Sequence, residues 1–415
     1  MKEKMDVLFL CLNFYPEYVS SATLPFETAR ALVQAGISVT ALCGYPREFN
    51  NAGGVPLEEV KDGISIKRLH YLQASRVTAP GRIVNYFSFT AAVFARFFSL
   101  RKFNVLIVYT NPPVLPLVAA WASRLYQSRL ILVSYDVYPE VALVTGSISR
   151  NGLIRRTMDF INRRVYRQVH QVVALSTDMK AFLLQHRPAL KEEQVAVIPN
   201  WFEEPADHGS RDPDPSGIGT DQYASGDLIV SFLGNMGTAQ DLETILGAMR
   251  ELKEEEGIRF LFAGHGNKKK GLAETIRTEG LSHAVVYDFL HGHDYRDALD
   301  LTQVFILSLA EGVTGLAVPS RVYGYLMAGK PIIAIMGAEA EIAADLKENQ
   351  AGYVLSPGDV EGLVGALREL KHNSALRRAM GAGSRRIYEA KYTSEASWAK
   401  YIQLIRAALE YDEHV

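Results

Sequence analysis

Short apolar runs alternate with amphipathic stretches along the first 200 residues. Runs at Val7–Leu12, Ile37–Cys43, Ile64–Leu69, Val105–Tyr109, Leu130–Ser134, Gln171–Leu175 and Val195–Ile198 are rich in β-branched and aromatic residues. They are too short for helices and read as strands. Between them apolar positions recur at helical spacing, as over Leu24–Gln34. That stretch has Ser20 and Ser21 near its start, Pro25 in its first turn and Gly36 past its end. Alternation of this kind builds a parallel, doubly wound sheet. The pattern lapses over Glu203–Gly226, where Pro205, Pro213 and Pro215 lie among Gly, Ser and acidic residues with no apolar period. This segment reads as a linker. Strands resume at Leu228–Leu233, Arg259–Ala263, Val285–Phe289, Val304–Leu307 and Pro331–Ile335, with a short one at Tyr353–Val354. Helices between them include Asp241–Leu252 and Ser320–Met327, and Leu363–Glu410 is helical with a break at Lys391–Thr393. The predicted fold is α/β. Two Rossmann-like domains, 1–202 and 227–390, are joined by the linker 203–226, and a helix over 391–415 closes the chain. Ligands of such sheets sit beyond the C-terminal strand ends, so the two domains are expected to face a common cleft.

Two strand ends stand out. Leu228–Leu233 runs into Gly234-Asn235-Met236-Gly237-Thr238, and the segment after Val304–Leu307 reaches Val318-Pro319-Ser320-Arg321. Glycine allows close backbone approach, and the first turn of a helix leaves amide donors unpaired. A helix opening just after each loop would make both junctions suited to a diphosphate.

Composition narrows the class. Apolar residues make up 48% and charged residues 22%, as in globular proteins, and 415 residues suit two domains. A net charge of −2 argues against a nucleic-acid partner. Cys11 and Cys43 fall inside predicted strands and read as small core residues in a reducing, cytoplasmic setting. The apolar run after Met1–Met5 is short, is flanked by acidic residues and lacks a small-residue cleavage site, so it reads as a strand and not a leader. No uncharged stretch reaches the roughly 20 residues of a spanning helix.

Several segments together resemble the retaining glycosyltransferases of the two-Rossmann (GT-B) architecture, carbohydrate-active family 4. The similarity is strongest to the branch of bacterial capsule, exopolysaccharide and O-antigen pathways, including amino-sugar transferases. The markers are Asn13-Phe14-Tyr15-Pro16-Glu17, Thr110-Asn111-Pro112-Pro113, Tyr135-Asp136-Val137-Tyr138-Pro139-Glu140, Val197-Ile198-Pro199-Asn200-Trp201, Gly234-Asn235-Met236-Gly237-Thr238-Ala239-Gln240, and Val318–Pro331. The resemblance implies that the last helix returns to the N-terminal domain. It also implies a nucleotide-sugar donor, UDP-linked, a lipid-linked or glycan acceptor, and no metal or other cofactor. Two departures accompany it. The glutamate pair common in the family aligns with Leu316 and Gly324, and the usual Arg and Lys of the first donor loop align with Asn235 and Gln240.

Retentive transfer of this type uses no obligatory enzyme nucleophile, so its catalysis is positioning and electrostatics around the leaving diphosphate. Arg321 is the candidate phosphate cation, with Ser320 beside it; a solvated surface arginine is the other reading. Gly234, Asn235, Met236 and Gly237 form the second cradle, where a plain strand-to-helix turn competes. Lys268, first of three lysines, faces the phosphates or opens a solvated helix. Leu290 and His291 are placed at the nucleobase and Glu311 at the sugar hydroxyls. His291 and His293 do not have metal-site spacing. On the acceptor side, resemblance places Asp136 and Glu140 at the cleft as acceptor-orienting groups or a base, with Arg321 completing the catalytic set. A glycosidase-like carboxylate pair and a helix-capping aspartate with an exposed glutamate are the alternatives. Tyr15, Glu17 and Asn111 are further acceptor-side candidates.

Arg82–Lys102 mixes Tyr86, Phe87, Phe89, Phe94, Phe97 and Phe98 with basic flanks. It suits either a helix at a membrane interface, which would make the enzyme peripheral on the inner face of the membrane, or a core helix covering the sheet. Rival functions are a nucleotide-sugar epimerase of the same architecture and a non-catalytic nucleotide-sugar-binding protein. A dehydrogenase is disfavoured by the lack of a Gly-x-Gly-x-x-Gly fingerprint after the first strand.

Overall fold

The computed structural model describes residues 6–46, 54–75, 79–202, 223–224, 226–290 and 292–410. Most of the expected linker, and His291, lie outside the described residues. The chain forms two compact units. The first comprises Met1–Asn200, Gly315–Val318 and Glu395–Val415; the second comprises Trp201–Thr314 and Pro319–Ser394.

In unit one, β1 (Asp6–Cys11), β2 (Ser38–Gly44), β3 (Glu58–Lys61), β4 (Ile64–Leu69), β5 (Val105–Tyr109), β6 (Arg129–Ser134), β7 (Gln171–Ala174) and β8 (Val195–Val197) form one sheet. Its order is β3-β4-β2-β1-β5-β6-β7-β8. All pairings are parallel except β3–β4. The helices are α1 (Ser20–Gln34), α2 (Ala79–Phe94), α3 (Leu115–Tyr126), α4 (Glu140–Val144), α5 (Leu153–Gln168) and α6 (Thr177–His186), with a 3₁₀ turn at Phe97–Lys102. Strand order reverses between β1 and β5. Right-handed crossovers therefore put α1 on one face and α2, α3, α5 and α6 on the other. Strands covered on both faces read as unbroken apolar runs, and every residue of β5 is buried. Each such Val, Leu or Ile contributes roughly 1.5–3 kcal/mol. The helix expected at Leu24 begins at Ser20, so Pro25 is interior rather than in the first turn.

Unit two has a fully parallel sheet of β9 (Leu228–Leu233), β10 (Ile258–Ala263), β11 (Ala284–Tyr287), β12 (Val304–Ser308), β13 (Ile332–Ile335) and β14 (Gly352–Leu355). The order is β11-β10-β9-β12-β13-β14, reversing between β9 and β12. Its helices are α7 (Glu243–Glu251), α8 (Lys269–Thr278), α9 (Gly292–Leu301), α10 (Arg321–Met327), α11 (Glu341–Glu348), α12 (Val360–His372) and α13 (Ser374–Lys391). A stop at Asn373 divides the helical tail a second time. The Asn373 carboxamide oxygen accepts the Leu376 amide at 2.9 Å and caps α13. The final helix, α14 (Ser394–Glu410), packs almost wholly within unit one, where Ser397 Oγ donates to the Pro199 carbonyl at 2.9 Å.

Candidate active site

In unit two the reversal between β9 and β12 leaves a crevice at the C-terminal strand ends, the usual ligand position in such sheets. The loop after β9 and the loop after β10 are packed backbone on backbone. Gly264, at φ +147°, lies so close to Gly234 that a Cβ there would stand 1.9 Å from the Gly234 carbonyl oxygen. At Gly266, φ +133°, a Cβ would meet the Met236 carbonyl oxygen at 2.3 Å. Hydrogen bonds knit the pair. The Gly234 amide donates to Ala263 at 2.7 Å, Met236 to His265 at 2.6 Å, and Lys268 to Met236 at 3.0 Å. The Ala310 amide, after β12, donates to Ala239 at 2.8 Å and ties in the third strand end. Among the described residues the amides of Asn235, Gly237 and Thr238 have no backbone partner. Asn235 is exposed. These three donors are the free part of the cradle.

Arg321 closes it. Its guanidinium carbon lies 4.2 Å from the Phe232 ring centroid, and Nη2 donates to the Asn235 carbonyl oxygen. Nη1 is buried without a hydrogen-bond partner, and Arg321 makes no ion pair among the described residues. Burial lowers its pKa from the ordinary arginine value, with Tyr325 and Tyr295 opposing that shift. An arginine titrates so high that the group stays cationic at neutral pH. The result is a positive charge lacking an anion beside three unsatisfied amides. That arrangement is chemically suited to phosphate oxygens.

Tyr325, one helical turn beyond Arg321, holds the cation in place. Its hydroxyl accepts from the Leu233 amide at 2.7 Å and donates to the Leu233 carbonyl at 3.1 Å, while its ring stacks on Phe305 at 4.0 Å. Sequence reading missed it; the signal was an aromatic at i+4 from the arginine, on the same helix face. Tyr325→Phe is expected to lower stability by about 1–2 kcal/mol through the orphaned Leu233 groups. It should also weaken nucleoside-diphosphate binding severalfold by releasing α10. Chemical denaturation and calorimetry check the two effects separately.

Other expected donor residues sit differently. Met236 is fully buried in the core and contributes only backbone, both of whose groups are used within the loops. The helix expected over Asp241–Leu252 spans Glu243–Glu251, opening beyond the glycine loop where the Asp241 carboxylate takes the Thr244 amide at 3.1 Å. Its dipole therefore does not act at the glycine loop. The Lys268 ammonium donates to the Gln240 carbonyl at 2.8 Å rather than standing free, and Lys269 pairs with Asp288. Leu290 is buried. Glu311 and Ser320 are exposed, and Ser320 makes no side-chain cap. His291 is outside the described residues.

In unit one the candidates lie at the ends of β1, β5 and β6. Thr110 Oγ1 accepts the amides of Tyr135 and Asp136 at 3.1 and 3.3 Å, fixing the β6 loop against the β5 end. The Asn111 Oδ1 is buried without a partner. Asp136 forms a backbone bridge with Ala317, and burial raises its carboxyl to about 6. Glu140 has a different role. Arg187 Nη1 and Nη2 donate to its two oxygens at 2.8 and 2.6 Å, and Nη2 also reaches the Tyr138 carbonyl. Both carboxylate oxygens are thus engaged in a half-buried ion pair, so Glu140 holds the loop and is not free to act as a base. Pro139 rather than Asp136 precedes α4, so Asp136 is not a helix cap. Glu17 is buried, and the Tyr15 ring stacks on Phe26 at 5.0 Å.

The chain's comparisons with known proteins fit this geometry. Residues 25–201 match the glycosyl transferase 4-like domain and residues 221–387 the glycosyl transferases group 1 domain. The chain is a glycosyltransferase of the GT4 type. It is 24% identical over 309 residues to the probable glycosyltransferase WbjE of Pseudomonas aeruginosa, covering 74% of this chain and 76% of that one. It is also 24% identical over 265 residues to the putative colanic acid biosynthesis glycosyl transferase WcaI of Escherichia coli (strain K12), covering 61% of this chain and 64% of that one. The fold resembles Anabaena HepE crystallised with UDP-glucose, with a TM-score of 0.67 at 13% identity over 98% of this chain and 100% of that one.

The structure also explains how the transferase accommodates its two unusual positions. A Cβ on Gly324 would stand 3.1 Å from the Tyr295 hydroxyl and 3.6 Å from the Phe202 ring, so a larger residue there would have to push the tyrosine aside. Leu316 is 2% exposed in the core of unit one, and its carbonyl accepts the Val137 amide at 2.8 Å. Packing occupies both positions.

Proposed function

We propose that this enzyme moves a sugar from a UDP-sugar to a hydroxyl of a lipid-linked or glycan acceptor, with retention, in bacterial surface-polysaccharide synthesis. The observation that carries the reading is the Arg321 guanidinium, with Nη1 unsatisfied and no acidic partner among the described residues, beside the amides of Asn235, Gly237 and Thr238. In this reading Arg321 and the amides hold the diphosphate while the bond from the anomeric carbon to the phosphate oxygen breaks. The acceptor oxygen attacks from the same face, and its proton passes to an oxygen of the departing diphosphate. Stabilising the charge that builds on those oxygens is the main catalytic contribution. Asp136, with a carboxyl titrating at about 6, orients the acceptor hydroxyl. The colanic acid biosynthesis name of the relative WcaI supports the choice of pathway, and the UDP-glucose complex of HepE supports the choice of donor.

A ligand that binds only the folded state raises the melting temperature. Among nucleoside diphosphates, UDP is expected to raise it most, and an NMR assay with a UDP-sugar should give a product of unchanged anomeric configuration. If no nucleoside diphosphate stabilises the protein, the donor assignment fails; an inverted product removes retention alone.

A further inference from the structure

One face of unit one carries an unusual surface. The segments 79–102, 115–126 and 150–168 contain eleven Arg or Lys and one acidic residue, although the whole chain has net charge −2. That acid, Asp159, is already paired with Arg155 at 3.6 Å. The segments are neighbours. α3 packs against α2, the 3₁₀ turn and α5. Phe94 meets Trp121 at 6.3 Å, and Phe97 meets Tyr126 at 5.4 Å. Crossover handedness puts them on the same side of the sheet.

The inward face of this layer is ordinary core: Phe89, Val93, Leu100, Ile161 and Val165 are buried. The outward face is not ordinary. Phe98 is 77% exposed, Leu153 78% and Leu125 63%, with Phe87 and Phe94 more than half exposed. Along α5 the exposed residues recur at three- and four-residue steps, from Leu153 through Arg156 and Phe160 to Arg163, Arg164 and Arg167. The Arg164 guanidinium lies 4.6 Å from the Phe160 ring centroid. Large apolar side chains standing among many cations and a single acid match a surface that meets both acyl chains and acidic headgroups.

We propose that this face of unit one docks on an anionic lipid bilayer. Charge decides among occupants. A second copy presenting the same face would bring like charges together, and a nucleic acid would leave the apolar residues without a partner. No described helix is long and apolar enough to cross a membrane. The proposal is independent of the donor reading.

The test is co-sedimentation of the full chain with phosphatidylcholine vesicles, with and without phosphatidylglycerol. Binding is expected only with the anionic lipid and should weaken as salt is raised. The triple variant Arg163→Glu, Arg164→Glu, Arg167→Glu should lose at least roughly tenfold in vesicle affinity. Phe98→Ser with Leu125→Ser and Leu153→Ser should lose a similar factor while leaving retention on heparin unchanged. All six positions are exposed or solvent-facing, and circular dichroism confirms folding. Absence of binding to anionic vesicles overturns the proposal. So does binding that both triple variants retain, and retention on heparin without vesicle binding reassigns the face to a polyanion.

Discussion

Replacing Arg321 with Ala is expected to weaken UDP binding by about 1.5–3 kcal/mol, roughly tenfold to a hundredfold. The guanidinium has no acidic partner among the described residues, one nitrogen satisfied by Asn235 and another buried and unsatisfied. Its removal therefore deletes no ion pair, and the ligand-free protein should lose little stability. The bound form should lose most of its stabilisation. This separation is what distinguishes a ligand-binding cation from a structural one. Arg321→Lys should not restore affinity. A lysine lacks the planar fork that lies over Phe232 while presenting two donors. Calorimetry with UDP on the three proteins measures the effect, and unchanged affinity in the alanine variant removes Arg321 from the site.

Asp136→Asn is expected to stabilise the protein at pH 8 while lowering transfer at least roughly a hundredfold, as loss of the group that orients the acceptor hydroxyl would. The sign follows from burial. The folded carboxyl titrates near 6 instead of its usual 3.8, so the folded state favours the protonated form. That preference supports folding fully below the unfolded pKa and is lost as pH rises through about 6. At pH 8 the buried charge is a cost that the amide removes. After discount for partial exposure the gain is on the order of 2 kcal/mol, vanishing by about pH 4. Thermal melts at both pH values, beside a transfer assay, test it. A variant that is destabilised at pH 8 contradicts the account of its burial; one that is stabilised and fully active removes it from the reaction.

Most of the sheet was readable because buried parallel strands are continuous apolar runs, and β4, β5 and β9 fall where those runs fall. Strand β3 was not readable. Glu58-Glu59-Val60-Lys61 is a charged edge strand that pairs, among the described residues, with β4 alone, and nothing in its composition distinguishes it from a loop. At the candidate site, glycines and the Pro319–Arg321 junction were visible because backbone geometry restricts the residues that can serve there. Partners from distant sequence were not visible. Glu140 looks like an open carboxylate until Arg187, 47 positions later, folds onto it, and Lys268 looks free until its ammonium meets the Gln240 carbonyl. Tyr325 was overlooked because a buried tyrosine on an apolar helix normally signals packing alone.

The near-contact of Gly264 with Gly234 has a consequence for how the donor is received. Two main-chain segments pressed together without intervening side chains have no alternative arrangement to relax into, so the proposed pocket for phosphoryl oxygens is already shaped before a ligand arrives. Little ordering entropy should be lost on association at this spot. Acceptance of altered sugars or bases is then more readily tuned at the side-chain-lined margins than at the backbone floor.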